Sequence, residues 1–227
     1  MLKTTSNERR ATRAGFTLIE MIGVLAVIAV LVALLLPKVF EVMAESKTNA
    51  LVAAVATYKT AIIEYYADVG SILPLDAGGV PAIEFGGDSA NPLSLPARLL
   101  LDKSDPLNTE TNRWMNFNGP YLTKFATNSP PGFGTSVTMR ATDSTAYGTV
   151  VVANDRGWDF DGDGNNDIPA NANVVFLRFM DIELVDFERV DAVLDQEVGA
   201  TLGERRVRGR VKYVAVHKRM KIYLIHG

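Results

Sequence analysis

The sequence contains no cysteine and only two histidines, His217 and His226, both near its end. Without cysteine the chain can form no disulfide, and it offers no thiolate as a nucleophile or a metal ligand. It also lacks a phosphate-binding glycine-rich loop and the residue spacing of a zinc site. The composition still allows a Ser/His/Asp site, but no catalytic motif is present, so we do not expect the protein to be an enzyme.

The sequence also has little excess charge of either sign. Its 227 residues include 23 basic and 26 acidic ones, so the net charge of −3 indicates no particular partner. The hydrophobic content of 48% is enough for a packed core. This length suits one sizeable domain, or a smaller domain with an added element.

A long apolar run extends from Phe16 to Leu36, and its one charged residue is Glu20. As a helix rising about 1.5 Å per residue, this run could cross the hydrocarbon core of a membrane. Four basic residues precede it: Lys3, Arg9, Arg10 and Arg13. After the run, the positive charges of Lys38 and Lys47 are offset by the nearby Glu41 and Glu45. The positive-inside bias therefore predicts a cytoplasmic N-terminus and places everything after Lys38 on the other side of the membrane.

The small-residue cleavage site of a secretory signal does not follow the run, which continues into Pro37 and Lys38. The small residue, Gly15, instead precedes it. The stretch GFTLIE, residues 15–20, lies between the basic leader and the apolar run. It resembles the processing site of type IV prepilins and type II secretion pseudopilins. The resemblance covers roughly residues 9 to 60 and includes Pro37.

This resemblance implies cleavage between Gly15 and Phe16 by a prepilin peptidase, followed by N-methylation of the Phe16 amine. Residues 1–15 would be a cleaved cytoplasmic leader, and residues 16–69 one long helix with a transmembrane half at 16–36. Residues 70–227 would form a globular periplasmic domain. The implied partners are the inner membrane, the peptidase, other pilin-like subunits of a homo- or hetero-polymeric filament, and the secretion or pilus assembly machinery.

Glu20 is an unusual residue for a membrane span, because a carboxylate at mid-membrane costs roughly 2.5–3.5 kcal/mol. Cleavage would create an amine at Phe16, which lies four residues earlier on the same helical face. In a staggered fibre this amine could meet Glu20 of a neighbouring subunit, which would favour assembly and set the axial register. Alternatively, Glu20 could simply extend to the lipid headgroups. We assign Phe16, Glu20 and Pro37 to assembly.

Beyond Pro37 the pattern becomes amphipathic, with apolar residues spaced alternately by four and three. The stripe consists of Leu51, Val55, Tyr58, Ile62, Tyr65 and Val69. We therefore predict one helix from residue 16 to residue 69 that ends at Gly70. Because proline lacks an N–H, a kink or a locally melted turn is expected at Pro37.

The rest of the chain predicts short elements. Helices are expected at Leu95–Leu101 and Val185–Val198. The strand candidates are Ser136–Arg140, Thr149–Val152, Val174–Phe179, Arg206–Val216 and Lys221–His226. The last two would pair antiparallel across Lys218. A long helix packed on a small antiparallel sheet is an α+β fold, as in the pilin-like proteins that the sequence resembles.

An acidic stretch, DFDGDGNND at residues 159–167, has the ligand spacing of a calcium loop. Asp159, Asp161 and Asp163 would supply side-chain oxygens, Asn165 its carbonyl, and Asp167 a direct or water-mediated contact. The stretch departs from an EF-hand, since Ala170 stands where a bidentate glutamate belongs. Major pseudopilins of type II secretion carry calcium in C-terminal loops, although this loop is not a residue-by-residue match. We predict calcium as a cofactor, and the alternative is a solvated acidic turn.

Charge is segregated near the C-terminus: residues 155–204 hold 13 acidic and 3 basic residues, whereas residues 205–227 hold 8 basic residues and no acidic one. On the predicted strand, one face would carry Arg206, Arg208, Arg210 and Lys212. That face could be a solvated edge, could pair with the acidic segment of another subunit, or could bind nucleic acid. We do not expect nucleic acid, because aromatic residues are poorly interleaved.

These observations favour a structural subunit of a type II secretion pseudopilus or a related type IV pilus-like filament. The alternative is a minor filament subunit that acts as an adhesin or a DNA-uptake protein through the basic strand. A membrane-anchored enzyme is the third possibility. Intact Glu20 favours the filament shaft, because tip subunits of the resembling family commonly lack this glutamate.

Overall fold

The computed structural model describes residues 15–74, 95–103, 116–125, 133–143, 158–163, 165–168, 172–196 and 198–227. The chain divides into two compact units, Met1–Ala44 and Glu45–Gly227. Helix α1, Leu18–Val69, contributes residues to both units, and each unit is described by itself.

In the first unit, α1 is apolar on every side. Every large apolar side chain from Phe16 to Met43 is exposed. Pro37 lies inside α1, and the helical conformation continues through it without interruption. The locally melted turn expected as the alternative to a kink is therefore absent. Proline removes only the hydrogen bond of its own missing N–H, and the neighbouring helical turns keep theirs.

In the described residues of the second unit, a four-stranded sheet is combined with the rest of α1 and three short helices. The further elements are α2 (Leu95–Leu100), β1 (Ser136–Asp143), β2 (Asn173–Met180), α3 (Leu184–Leu194), α4 (Leu202–Arg205), β3 (Val211–Val214) and β4 (Arg219–His226). The strands are ordered β1-β2-β4-β3, and every neighbouring pair is antiparallel. The predicted α+β fold of a long helix and an antiparallel sheet is thus confirmed.

The stripe of α1 packs into the main core together with one face of the sheet, called here the inner face. Leu51, Val55, Ile62 and Tyr65 are buried, while Tyr58 and Val69 pack partly buried against the same core. The inner face supplies alternate strand residues, such as Val175, Leu177 and Phe179 of β2. Burying a side chain of this size contributes about 1.5–3 kcal/mol, so the stripe fixes which face of α1 meets the sheet.

A smaller apolar cluster covers the outer face of the sheet. It consists of Trp158, Ile168, Val174 and Phe176, with Phe160, Ala172 and Tyr223 partly buried around them. Trp158 and Ile168 flank the acidic stretch, so this segment is docked on the sheet at both of its ends. Strand β2 is therefore buried on both faces, which explains its almost continuous apolar sequence.

Most predicted elements are present within one to four residues of their expected limits. Helix α1 ends at Val69, and Gly70 takes the left-handed conformation (φ +78°) that terminates a helix. The last two strands pair across Lys218, which also has a positive φ of 46°. The predicted strand Thr149–Val152 lies outside the described residues.

The prediction of one long strand at Arg206–Val216 is wrong. Only Val211–Val214 is extended; α4 and a turn precede it, and a 3-10 turn at Ala215–His217 follows it. The cause lies in the turn before β3. The backbone N–H of Gly209 donates to the carbonyl of Asp159 at 2.5 Å, and Gly209 has a φ of +80°, which breaks an extended conformation.

Helix α3 also ends earlier than the predicted Val198. Asp195, its C-cap residue, accepts hydrogen bonds from the backbone N–H groups of Arg210 and Val211, both at 2.7 Å. Gln196 then adopts a positive φ of 43°, which stops the helix. The side chain of Asp195 thus joins the end of α3 to the start of β3.

Replacing Gly209 tests this junction. The Gly209→Ala variant should lower the free energy of unfolding by about 1–3 kcal/mol, because alanine is strained at this φ. Its Cβ would also overlap the carboxylate of Asp195. The measurement is denaturant unfolding of the full chain in detergent, followed by near-UV circular dichroism.

Gly203→Ala is the matched control. Gly203 lies in α4, and its nearest atom to an added Cβ is Thr201 Oγ1 at 3.8 Å. Alanine is the better helix former, so this variant should be as stable as the wild type or up to about 1 kcal/mol more stable. Equal unfolding curves for Gly209→Ala and the wild type would contradict the role of Gly209 in the junction between α3 and β3.

Candidate functional site

The N-terminal segment is the first of two candidate sites. Gly15 and Phe16 precede the first helical residue, Leu18. Among the described residues, no neighbouring atom lies within 4 Å of a Cβ placed on Gly15. Phe16 is 80% exposed. The predicted processing site therefore lies in a non-helical, exposed part of the chain, as a peptidase requires for access to the peptide bond.

Glu20 takes part in a capping box at the start of α1. Its Oε2 accepts hydrogen bonds from the backbone N–H and from the Oγ1 hydroxyl of Thr17, both at 2.8 Å. In return, Thr17 Oγ1 accepts from the backbone N–H of Glu20 at 3.3 Å. This reciprocal pair satisfies helix-terminal donors that would otherwise lack a partner in a membrane.

Thr17 was not among the residues predicted from the sequence, although the Thr-x-x-Glu spacing just before an apolar run is the usual signal of a capping box. The cap uses Oε2 of Glu20, and none of the described residues donates to Oε1. The carboxylate is thus held in one orientation at the helix start and retains an acceptor. Capping and pairing with a neighbouring amine are compatible roles for this side chain.

The apolar part of α1 is the one helix among the described residues that is long and apolar enough to cross a membrane, judged by length and composition. This helix fits a single-pass, membrane-anchored protein. Polar side chains resume directly after Pro37, where Lys38 and Glu41 form an exposed ion pair at 2.7 Å.

The acidic stretch is the second candidate site. One carboxylate oxygen from each of Asp159, Asp161 and Asp167 can be chosen so that all three lie within 4.8 Å of one another. Two ligands that each lie 2.3–2.6 Å from a calcium ion are at most about 5 Å apart. The spacing of these three oxygens therefore fits a common calcium ion.

The other two predicted ligands, Asp163 and Asn165, are hydrogen-bonded to each other. Both oxygens of Asp163 accept hydrogen bonds from Asn165: Oδ1 from the backbone N–H at 2.7 Å and Oδ2 from the side-chain amide at 2.9 Å. These bonds lower the pKa of Asp163 below its usual value. Asp163 lies outside the three-carboxylate group, and its role in binding a metal stays a prediction.

Backbone hydrogen bonds shape the acidic stretch. Asp159 Oδ1 accepts from the N–H of Gly162 at 2.7 Å, and Asp167 Oδ2 accepts from the N–H of Phe160 at 2.5 Å. The N–H of Asp167 in turn donates to the carbonyl of Trp158 at 2.8 Å. Because Trp158 is packed against the outer face, these bonds connect the carboxylates to a fixed part of the sheet.

The basic segment does not form the single strand face that the sequence predicted. Arg206, Arg208 and Arg210 lie in the turn before β3, and Lys212 alone belongs to the strand. Lys212 and Lys221 are only 4% and 5% exposed. Lys212 lies over the ring of Trp158, with its Nζ 4.9 Å from the ring centre.

Several basic side chains instead pair with the acidic segment of the same chain. Arg208 contacts Asp159 (Nε–Oδ2, 3.4 Å) and Glu204 (Nη1–Oε1, 3.5 Å). Lys218 contacts Glu183 at 2.7 Å. The segregation of charge along the sequence thus brings opposite charges together inside one subunit, whereas the sequence had suggested such pairing only between subunits. Exposed or half-exposed pairs of this kind contribute little stability, about 0–1 kcal/mol each.

Residues 10–36 match the family model described as the prokaryotic N-terminal methylation motif. This motif is the prepilin-type cleavage and methylation segment of type IV pilin-like proteins, so the resemblance noted in the sequence is confirmed. A comparison of the chain with curated proteins and with solved structures found no match.

Proposed function

We propose that this chain, whose residues 10–36 carry the N-terminal methylation motif of type IV pilin-like proteins, is a structural subunit of a pilus-like filament. The motif is the observation that carries the proposal. In proteins with this segment, a prepilin peptidase removes the leader and the apolar helix remains. The cleavage site would be the bond between Gly15 and Phe16, and the new amine of Phe16 would be methylated.

The exposed surface of α1 supports assembly through this helix. From Phe16 to Met43 its large apolar side chains are uncovered in the single subunit. The hydrophobic effect disfavours such a surface in water. Lipid before assembly and the helices of neighbouring subunits after assembly would both cover it. The helix would thus be the membrane anchor first and the filament core later.

Glu20 would direct the register of this packing. A carboxylate held at the helix start by Thr17 retains Oε1 as an acceptor, and the amine of Phe16 on a neighbouring subunit would be its cationic partner. Pairing would remove the cost of an uncompensated charge in an apolar environment. In any other stagger of the subunits, the carboxylate would remain unpaired in an apolar environment, which is unfavourable.

Among pilus-like systems, we favour the type II secretion pseudopilus, with the second unit in the periplasm. The supporting observations are the cysteine-free sequence and the acidic stretch on the outer face. The alternative of a DNA-uptake subunit has less support, because the predicted strand with one basic face is not formed. Among the described residues, Lys212 and Lys221 are buried, and Arg208 is paired with two carboxylates.

We also propose that the acidic stretch binds calcium. Asp159, Asp161 and Asp167 supply a compact group of carboxylate oxygens, which are the ligands that calcium prefers. Asp163 and Asn165 would complete the coordination after exchanging their mutual hydrogen bonds for the ion. Calcium would relieve the repulsion among the carboxylates and would hold this segment on Trp158 and the sheet.

Processing provides the first test. Mass spectrometry of the protein isolated from membranes should find Phe16 as the first residue, with one added methyl group on its amine. Gly15→Leu, which places a bulky side chain at the cleavage site, should leave the leader attached. A mature protein that begins at Met1 or near Val39 would contradict the proposal.

Glu20 provides the second test, and the capping box allows its two roles to be separated. Glutamine can replace glutamate in a capping box, so Glu20→Gln keeps the cap and removes the charge. Both Glu20→Gln and Glu20→Ala should insert in the membrane normally. Both should be incorporated into filaments poorly. The measurement compares membrane fractions with sheared filament fractions.

Glu41→Gln is the control, because it removes an exposed glutamate of the same helix that forms a local ion pair with Lys38. It should assemble normally. Filaments of normal yield from Glu20→Gln would reject the assignment of register to this carboxylate.

Calcium provides the third test. Millimolar calcium should raise the melting temperature of the full chain in detergent, and a chelator should reverse the rise. Ligand binding to the folded state alone contributes roughly 2.7 kcal/mol at a hundredfold excess over Kd. Magnesium should do less, because it requires tighter octahedral geometry. Trp158, made the single tryptophan by Trp114→Phe, should report the binding directly by fluorescence.

Asp161→Asn should abolish the calcium effect, since Asp161 belongs to the three-carboxylate group. Asp181→Asn removes an exposed aspartate outside the acidic stretch and should leave the effect unchanged. Identical melting curves in calcium and in chelator would mean that the stretch is a solvated acidic turn. That result would leave the filament proposal standing.

A further inference from the structure

Two aspartates at the end of α3 are buried in the corner where this helix meets α4 and β3. Asp191 is 1% exposed and Asp195 is 8% exposed, and they lie four residues apart on one helical face. Neither residue belongs to the acidic stretch or to the N-terminal segment. Burying two neighbouring carboxylates is unfavourable unless each has partners or one of them is neutral.

The two carboxylates have unequal partners. Asp195 accepts the two backbone hydrogen bonds from Arg210 and Val211, and such bonds favour the ionised form. In contrast, Oδ1 of Asp191 has no hydrogen-bond partner among the described residues. The other oxygen, Oδ2, lies 3.7 Å from Nη1 of Arg205, which is too far for a hydrogen bond.

The surrounding charges reinforce this difference. Glu188 and Asp195 face Asp191 from α3 itself, Arg205 faces it from α4, and Arg210 lies beside Asp195. Burial, with the neighbouring Asp195, raises the pKa of Asp191 to about 7, and Arg205 opposes the rise only in part. Burial also raises the pKa of Asp195, but the backbone N–H groups of Arg210 and Val211 oppose that rise. Asp191 is therefore the carboxylate that keeps its proton to the higher pH.

We propose that Asp191 is a proton-operated switch that controls the corner between α3, α4 and β3. With Asp191 neutral, only Asp195 is charged, and it holds the turn at residues 209–211. When Asp191 loses its proton, two adjacent buried carboxylates repel each other and the hold of Asp195 on this turn weakens. The same turn binds the acidic stretch, because Gly209 donates to the carbonyl of Asp159.

The direction of the pH effect follows from the raised pKa. Between the ordinary aspartate pKa of 3.8 and about 7, the folded chain binds more protons than the unfolded chain. The stabilisation is complete below the lower value and is lost as the pH rises through the upper one. From pH 5 to pH 8, the equilibrium constant of unfolding should therefore increase about ten- to a hundredfold because of this residue.

Asp191→Asn tests the switch in the full chain in detergent, with denaturant unfolding measured at both pH values. The variant should lose this ten- to hundredfold dependence and should be more stable than the wild type at pH 8. Asp186→Asn is the control, because it removes a more exposed aspartate of the same helix that pairs with Arg189. It should keep the dependence of the wild type. An unchanged dependence in Asp191→Asn would overturn the proposal.

Hydrogen exchange of the wild type keeps the proposal testable even if Asp191→Asn does not fold. After correction for intrinsic exchange rates, the amides of Arg210 and Val211 should lose protection between pH 6 and pH 8. The amides that pair β2 with β4 should lose less. Equal changes in both regions, or none at residues 210 and 211, would show that Asp191 does not control this corner.

Discussion

The apolar surface of the first half of α1 has to be removed from water, and the rest of the structure depends on this constraint. Phe16 to Met43 expose their large side chains on every side of the helix, so no single packing face could cover them. A membrane would meet this requirement for one subunit, and the packed helices of neighbouring subunits in the proposed filament would meet it for many. At the start of this helix, Thr17 and Glu20 are hydrogen-bonded to each other. They form a polar group on an otherwise apolar surface.

The second unit is built around a sheet that is covered on both faces. The stripe of α1 closes the inner face, and Trp158 with its neighbours closes the outer face. The turn at residues 209–211 connects the layers, since its backbone N–H groups donate to the side chain of Asp195 and to the carbonyl of Asp159. The acidic stretch, the end of α3 and the edge strand β3 are thereby joined by hydrogen bonds. The proposed effects of calcium and of the Asp191 proton at one of these places should therefore be measurable at the others.

The sequence predicted the elements with strong local signals. The 3.6-residue period of the α1 stripe, the glycine at residue 70 and the turn at Lys218 each depend on nearby residues, and all three are confirmed. The prediction of a strand at Arg206–Val216 was wrong, because the alternation of arginine with small or apolar residues is typical of an extended chain. Its true conformation depends on Asp195 and Asp159, which are distant in sequence. The pairing of Arg208 with Asp159 also joins residues that are distant in sequence, so the sequence did not predict it. The same holds for the different partners of Asp191 and Asp195. The Thr17 cap, in contrast, has a local signal, the Thr-x-x-Glu spacing just before the apolar run.

Cross-linking between subunits tests the central claim most directly, and the absence of native cysteine makes it clean. If the amine of Phe16 meets Glu20 of a neighbour, each residue of one subunit is level with the residue four positions later in the next. Gly23 and Val27 lie on the same helical face as Phe16 and Glu20, so residue 23 of one subunit would lie close to residue 27 of the next. Membranes that contain the double variant Gly23→Cys, Val27→Cys should therefore give a ladder of oligomers on oxidation, and each single variant should not. Adding Glu20→Gln to the double variant should remove the ladder. A double variant that stays monomeric under oxidation, or a ladder that is indifferent to Glu20→Gln, would contradict the assignment of register to this pair.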